Sequence, residues 1–199
     1  MTDQHYLWMK KAVELAAKSV SESGQVDPSP SVGAVIDKNG TKISSAYRGQ
    51  YAPGNHAEKC AIEFADGRDL SASVVSTTLE PCSRLNSPKI ACAQRLIDQG
   101  VSTVFIGVYN PNPKIYREGW KMLQDAGIKL RGFPADLRDQ LLAINSALLS
   151  QHRTNGNRSG TAISAYDKSP VLSIGEAPLF IDRSGLLRHQ ASSMCTQKR

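Results

Sequence analysis

Three short strand-like runs, at 73–78, 103–108 and 129–133, the first two rich in β-branched residues, alternate with stretches of helical period at 90–99, at 117–126 and from Pro134 onward. This order constrains the fold more than any other feature. A parallel pair cannot be closed by a tight turn, so strands that alternate with helices read as parallel neighbours joined by crossovers. Ahead of them, residues 32–36 and 41–47 flank Asp37-Lys38-Asn39-Gly40, a hairpin signal. The expected architecture is a three-layer α/β/α sandwich around a five-stranded mixed sheet, with an antiparallel hairpin at one side.

The helices follow from period and stop signals. Thr2 can cap a helix that starts near Asp3, with Met9, Val13, Ala16 and Val20 as its apolar stripe. Residues 56–65 form a second helix, ended by Asp66-Gly67, and Gly100 and Gly127 end the next two. Leu137, Leu141, Ile144 and Leu148 keep core spacing on one last helix. Residues 154–160 then have a linker composition. Two short strands at 171–174 and 179–181 are too few for a domain. Residues 1–151 are therefore expected to form one domain and residues 152–199 a basic C-terminal tail.

With 40% hydrophobic and 21% charged residues, the chain is not wholly disordered. It has no apolar run near the roughly 20 residues of a membrane span. Its first 18 residues mix charge with apolar residues, unlike a secretory signal. The expectation is a cytoplasmic protein with no membrane partner. The net charge of +6 is uneven: residues 152–199 carry seven Lys/Arg against three Asp/Glu, residues 1–151 seventeen against fifteen. A basic tail can attract nucleic acid, although a solvated end is the commoner meaning.

The four cysteines are irregularly spaced, which points to metal, catalysis or burial before disulfides. His56-Ala57-Glu58 opens a helix after a Pro/Gly loop, Pro81-Cys82 follows a strand, and Cys92 lies at the start of the next helix. Each piece alone is ordinary: a histidine at a helix start usually caps, and a Pro-Cys pair usually packs. Together, His56, Cys82 and Cys92 make a nitrogen–sulfur set suited to Zn²⁺, and three protein ligands leave a fourth position open for water. The helix N-terminus is expected to favour thiolate at Cys92. Zinc lowers the pKa of its water to about 7. Glu58, two residues after His56 in sequence, can move that water's proton to a leaving nitrogen. Cys60 reads as packing, and Tyr51 is the best candidate to stack on a base.

These residues resemble the zinc-dependent cytidine deaminase superfamily, whose signature is H-x-E followed by P-C-x-x-C. Nine residues instead of two separate Cys82 from Cys92, a spacer similar to that of the riboflavin-pathway pyrimidine deaminases. Residues 28–36, Thr78-Leu79-Glu80-Pro81-Cys82, Asn110-Pro111-Asn112-Pro113 and Ala126-Gly127-Ile128 resemble that family too, so the likeness covers about residues 4–150. It implies the α/β/α deaminase fold, zinc on His56, Cys82 and Cys92, proton transfer by Glu58, and hydrolysis of an aminopyrimidine nucleotide-like small molecule with release of ammonia. It also implies a homo-oligomer. Ser29 stands where the family has Asn, and the spacer lacks the family's His and Gly-Arg-Thr. Ser29, Asn55, Arg84 and Lys89 are the substrate-binding candidates, with Arg84 or Lys89 for a phosphate. Two other readings stay open: a deaminase of tRNA or single-stranded DNA that uses the basic tail, and a non-catalytic zinc-stabilised subunit.

Overall fold

The computed structural model describes residues 3–21, 28–84, 89–112, 115–156, 180–181 and 187–188. Helix α1 (Asp3–Ala16) precedes the hairpin β1 (Gly33–Lys38) and β2 (Thr41–Tyr47). Then come α2 (Ala57–Glu63), β3 (Val74–Leu79), α3 (Cys92–Asp98), β4 (Thr103–Val108), α4 (Glu118–Asp125) and β5 (Lys129–Gly132). Helices α5 (Ala135–Ile144) and α6 (Ser146–Gly156) follow, and Phe180–Ile181 (β6) pairs antiparallel with Leu187–Arg188 (β7).

The main sheet has the order β2-β1-β3-β4-β5. Strand β1 is antiparallel to both neighbours, and β3, β4 and β5 are mutually parallel. This is the mixed five-stranded sheet expected from the alternation. Its centre is buried on both faces, which is why Val74–Leu79 and Thr103–Val108 are nearly continuous apolar or small-polar runs. Helices α1 and α5 touch each other on one layer, and α2, α3 and α4 contact in sequence on the other. Met9, Val35, Ile36, Val75, Val104, Leu96, Leu123 and Leu141 fill the core between them. The hairpin closes on Asn39 and Gly40, both left-handed at φ 54° and 77°, as a two-residue loop requires.

Topology fixes where chemistry can sit. Two antiparallel steps, β2 to β1 and β1 to β3, leave β2 pointing the same way as β3. Helix α2 therefore starts at the carboxyl edge of β2, α3 starts at the carboxyl edge of β3, and β1 begins at that same edge. Open α/β sheets place their ligands there.

Two helix expectations are corrected. Helix α1 ends at Ala16, so Val20 leaves the stripe and is 46% exposed. The reason is Ser19, whose hydroxyl bonds both the N–H and the carbonyl of Val32 (2.9 and 3.2 Å) and turns the chain onto β1. The single last helix is two, broken at Asn145. The Asn145 side chain accepts from Ser31 N–H (2.8 Å) and donates to the Ser31 carbonyl (3.2 Å), tying the loop before β1 to the helix pair. Helix α6 runs on to Gly156, into the stretch with a linker composition. Thr2, the strand expected at 171–174, His189 and Cys195 lie outside the described residues.

A Cβ at Gly33 would meet the Ala12 carbonyl, Ala16 N (2.7 Å) and Leu15 Cβ (2.9 Å), all on α1. Gly33→Ala is expected to lower unfolding stability by about 1–3 kcal/mol, the usual cost of overpacking. Urea titration of both proteins checks this, and an unchanged midpoint would mean that α1 does not rest on β1 as described.

Candidate metal centre

His56 is the N-cap of α2, in extended conformation (φ −71°, ψ 150°), and its side chain makes no capping bond. The imidazole is turned instead to two sulfurs. Its Nδ1 lies 3.5 Å from Cys82 Sγ and 3.3 Å from Cys92 Sγ. The donor atoms of His56, Cys82 and Cys92 all lie within 4.8 Å of one another. A tetrahedral zinc with bonds of about 2.0–2.3 Å spaces its donors roughly 3.5–3.8 Å apart. Both the spacing and the donor set of one imidazole and two sulfurs therefore fit zinc. Cys82 reaches the site from the turn after β3, and Cys92 from the first residue of α3. The two are also joined through Cys92 N–H, which donates to Cys82 Sγ (3.2 Å), and Ala93 N–H, which donates to the Cys82 carbonyl (3.1 Å).

The charges are not distributed as the sequence suggests. The neighbouring Cys92, then His56, hold the Cys82 thiol down at about 4. Cys92, only 1% exposed, is pushed well above the ordinary thiol range by Cys82 and by burial. Without a metal, these directions favour the thiolate on Cys82 over Cys92. Hydrogen bonding to Cys82 raises His56, against the effect of burial. Glu58 is 3% exposed, and desolvation pushes its carboxyl up, with the charge of His56 opposing. Its Oε1 lies 2.9 Å from the Thr77 hydroxyl, which is also 3.1 Å from the Leu79 carbonyl. Sequence reading missed Thr77, which looks like one more β-branched strand residue.

A cavity of about 300 Å³ opens beside the centre, and His56, Cys92 and Asn55 line it. Four cations, Arg48, Lys59, Lys89 and Arg95, line it too, and among the described residues no acidic side chain does. Lys59 donates to Asn55 Oδ1 (3.0 Å) and pairs with Glu63 (3.3 Å). Arg48 and Arg95 were not singled out in the sequence, because neither sits next to a motif residue that marks it. Of the substrate-binding candidates, Asn55 and Lys89 line the cavity, whereas Ser29 and Arg84 do not. Ser29 is half-buried in the loop before β1. Arg84 is bound to Glu118, Nε to Oε2 at 3.0 Å and Nη2 to Oε1 at 2.6 Å. Tyr51 is 66% exposed, packs edge-on against Phe64 and does not line the cavity. Cys60 is fully buried in the core, as expected. Among the described residues no helix is long and apolar enough to cross a membrane.

Comparison with known proteins agrees with this geometry. The family model for the cytidine and deoxycytidylate deaminase zinc-binding region matches residues 2–108. The riboflavin biosynthesis protein RibD of Haemophilus influenzae is 35% identical over 152 residues, 76% of this chain and 39% of that protein. The diaminohydroxyphosphoribosylamino-pyrimidine deaminase of Schizosaccharomyces pombe is 35% identical over 122 residues, 58% of this chain and 30% of that protein. Among solved structures, a diaminohydroxyphosphoribosylaminopyrimidine deaminase/5-amino-6-(5-phosphoribosylamino)uracil reductase from Thermotoga maritima is 32% identical, with a TM-score of 0.66, over 76% of this chain and 42% of that one. The chain thus spans about two-fifths or less of the length of these relatives.

The low Cys82 pKa has a direct readout. In protein stripped of metal by a chelator, Cys82 is expected to react with iodoacetamide at a rate that is flat between pH 6 and 8. An ordinary thiol would speed up roughly fifty- to a hundredfold over that interval. Buried Cys60 and Cys92 are expected to stay unmodified. Peptide mapping after timed alkylation distinguishes them, and a steep rise at Cys82 would contradict the assignment.

Proposed function

The chain belongs to the cytidine and deoxycytidylate deaminase zinc-binding family, and from that premise we propose that it hydrolyses the exocyclic amine of a phosphate-bearing aminopyrimidine, as the names of its riboflavin-pathway relatives suggest. One water is consumed, the ring carbon exchanges its C–N bond for C–O, and ammonia leaves. The observation that carries the reading is the triangle of His56 Nδ1, Cys82 Sγ and Cys92 Sγ with the buried carboxyl of Glu58 beside it. In this reading those three residues hold zinc, which when bound supplies a water of pKa about 7.

Glu58 is the proton carrier. Its raised pKa suits it to hold a proton between its removal from water and its delivery to the leaving nitrogen. The Thr77 hydroxyl at 2.9 Å fixes the orientation of the carboxyl. Asn55 is placed to meet the ring, and Lys89, Arg95, Lys59 and Arg48 make the cavity wall positive, which supports an anionic group on the substrate. Arg84 is paired with Glu118 and is not among the residues that line the cavity. Ser29 is kept as a contact at the loop before β1. The catalytic unit is taken as residues 1–151, with residues 152–199 as a basic appendage to it. The relatives are named for a small pyrimidine, which does not favour the polynucleotide alternative.

Glu58→Gln is expected to retain one zinc and lose at least about 10²-fold in ammonia release from the riboflavin-pathway diaminopyrimidine ribosyl phosphate. Cytidine, dCMP and single-stranded DNA and RNA serve as the comparison substrates. Turnover by Glu58→Gln close to the parent rate would sink the proton-carrier role, and turnover of polynucleotides alone would sink the substrate class. Lys89→Ala is expected to raise KM roughly tenfold or more for the phosphorylated substrate, the worth of a hydrogen bond to a charged group. The dephosphorylated substrate should be unaffected. Equal effects on both would remove Lys89 from phosphate binding.

A further inference from the structure

Cys82 is held from both sides of its own chain by one turn of a helix far away in sequence. Two residues before it, Glu80 is 3% exposed. Its Oε2 accepts from the N–H groups of Asn110 and Arg117 (both 3.1 Å), and its Oε1 from Trp120 N–H (3.1 Å). One residue before Cys82, the Pro81 carbonyl lies where a Cβ on Gly119 would be, so only glycine admits the approach. On the other side, Glu118 accepts from Ser83 Oγ (2.8 Å) and from Arg84 Nε (3.0 Å), and pairs with Arg84 Nη2 (2.6 Å). Residues 80, 81, 83 and 84 are thus fixed to residues 117–120.

The partner surface is itself strained into shape. Arg117 is a non-glycine residue at φ 60°. Its N–H is taken by Glu80, and its guanidinium stacks over Trp120 (4.4 Å) and Tyr109 (5.3 Å). A backbone in that region persists where the surroundings over-determine it. The acceptor at position 80 has three donors to satisfy and no donor to meet, a task for a carboxylate. A glutamine of the same size offers one oxygen, and its NH₂ must then face at least one backbone N–H.

We propose that the first turn of α4 is the device that sets the position of Cys82 Sγ in the metal centre. Glu80 and Glu118 are its positioning residues. They act through the Glu80–Arg84 segment and touch neither metal nor substrate. The proposal rests on the reading that His56, Cys82 and Cys92 hold zinc.

The test measures zinc affinity, by competition with a chromophoric chelator, and the d–d absorption of the Co²⁺-substituted protein. The proteins are the parent, Glu80→Gln, Glu118→Gln and the core variant Leu137→Ala, which lies in α5 outside this turn. All are folded at the temperature used, as judged by circular dichroism. Glu80→Gln is expected to weaken zinc binding about tenfold or more, the range for supporting partners of a metal ligand, and to alter the cobalt bands. Glu118→Gln should move both in the same direction by less, because its amide oxygen still accepts one bond. Leu137→Ala should lower the melting temperature with zinc affinity and cobalt bands unchanged. Parent-like zinc affinity and cobalt bands in Glu80→Gln overturn the proposal, as does a loss of affinity in Leu137→Ala equal to that in Glu80→Gln. If Glu80→Gln does not fold, Glu118→Gln with parent-like affinity and spectrum overturns it. A parent that binds no zinc overturns the metal reading and this proposal with it, whereas zinc in the parent with unchanged variants overturns this proposal alone.

Discussion

The parallel pairing of β3 with β4, set beside the antiparallel step from β1 to β3, is the constraint on which the rest depends. It obliges the chain to cross over through helices, and every crossover here starts at one edge of the sheet. His56 at the start of α2, Cys82 after β3 and Cys92 at the start of α3 are therefore neighbours in space although 26 and 10 residues separate them in sequence. No single segment could supply this donor set. The topology gathers it, and packing of α1 onto Gly33 holds β1 against the strand that delivers Cys82.

Burial then decides the electrostatics. Three groups that each prefer water when charged are brought within a few ångströms of one another and partly desolvated. Without a metal, Cys92 and His56 favour the thiolate at Cys82, and burial beside that charge disfavours a second one at Cys92. Glu58 lies on the same helix turn as His56, with a carboxyl raised by desolvation. Raised acids and lowered nucleophiles close together are the usual mark of a reactive centre. The wall of the cavity extends this logic to the ligand, since four cations line it, one of them paired with Glu63, and a positive wall favours an anionic partner.

Strands β3 and β4, the hairpin and the metal triad were legible in the sequence because each carries a local signal: β-branched runs, Asn39-Gly40, and His or Cys beside a helix start. What was not legible lies in non-local pairings. Glu80 reads as one residue of a short motif, and its three backbone partners lie 30 to 40 residues further on. Asn145 looks like an interior helix residue, yet its side chain bonds the backbone of Ser31 and breaks the helix in two. Arg84 looked free to bind phosphate because nothing nearby in sequence claims it, whereas Glu118 does so in space.

If one imidazole and two sulfurs from three different elements hold a zinc ion with a further position left open, zinc K-edge X-ray absorption on the purified protein shows it without any substrate. The expected first shell has two sulfur scatterers at about 2.3 Å and two nitrogen or oxygen scatterers at about 2.0–2.1 Å. A shell of four sulfurs, or one without sulfur, would contradict it.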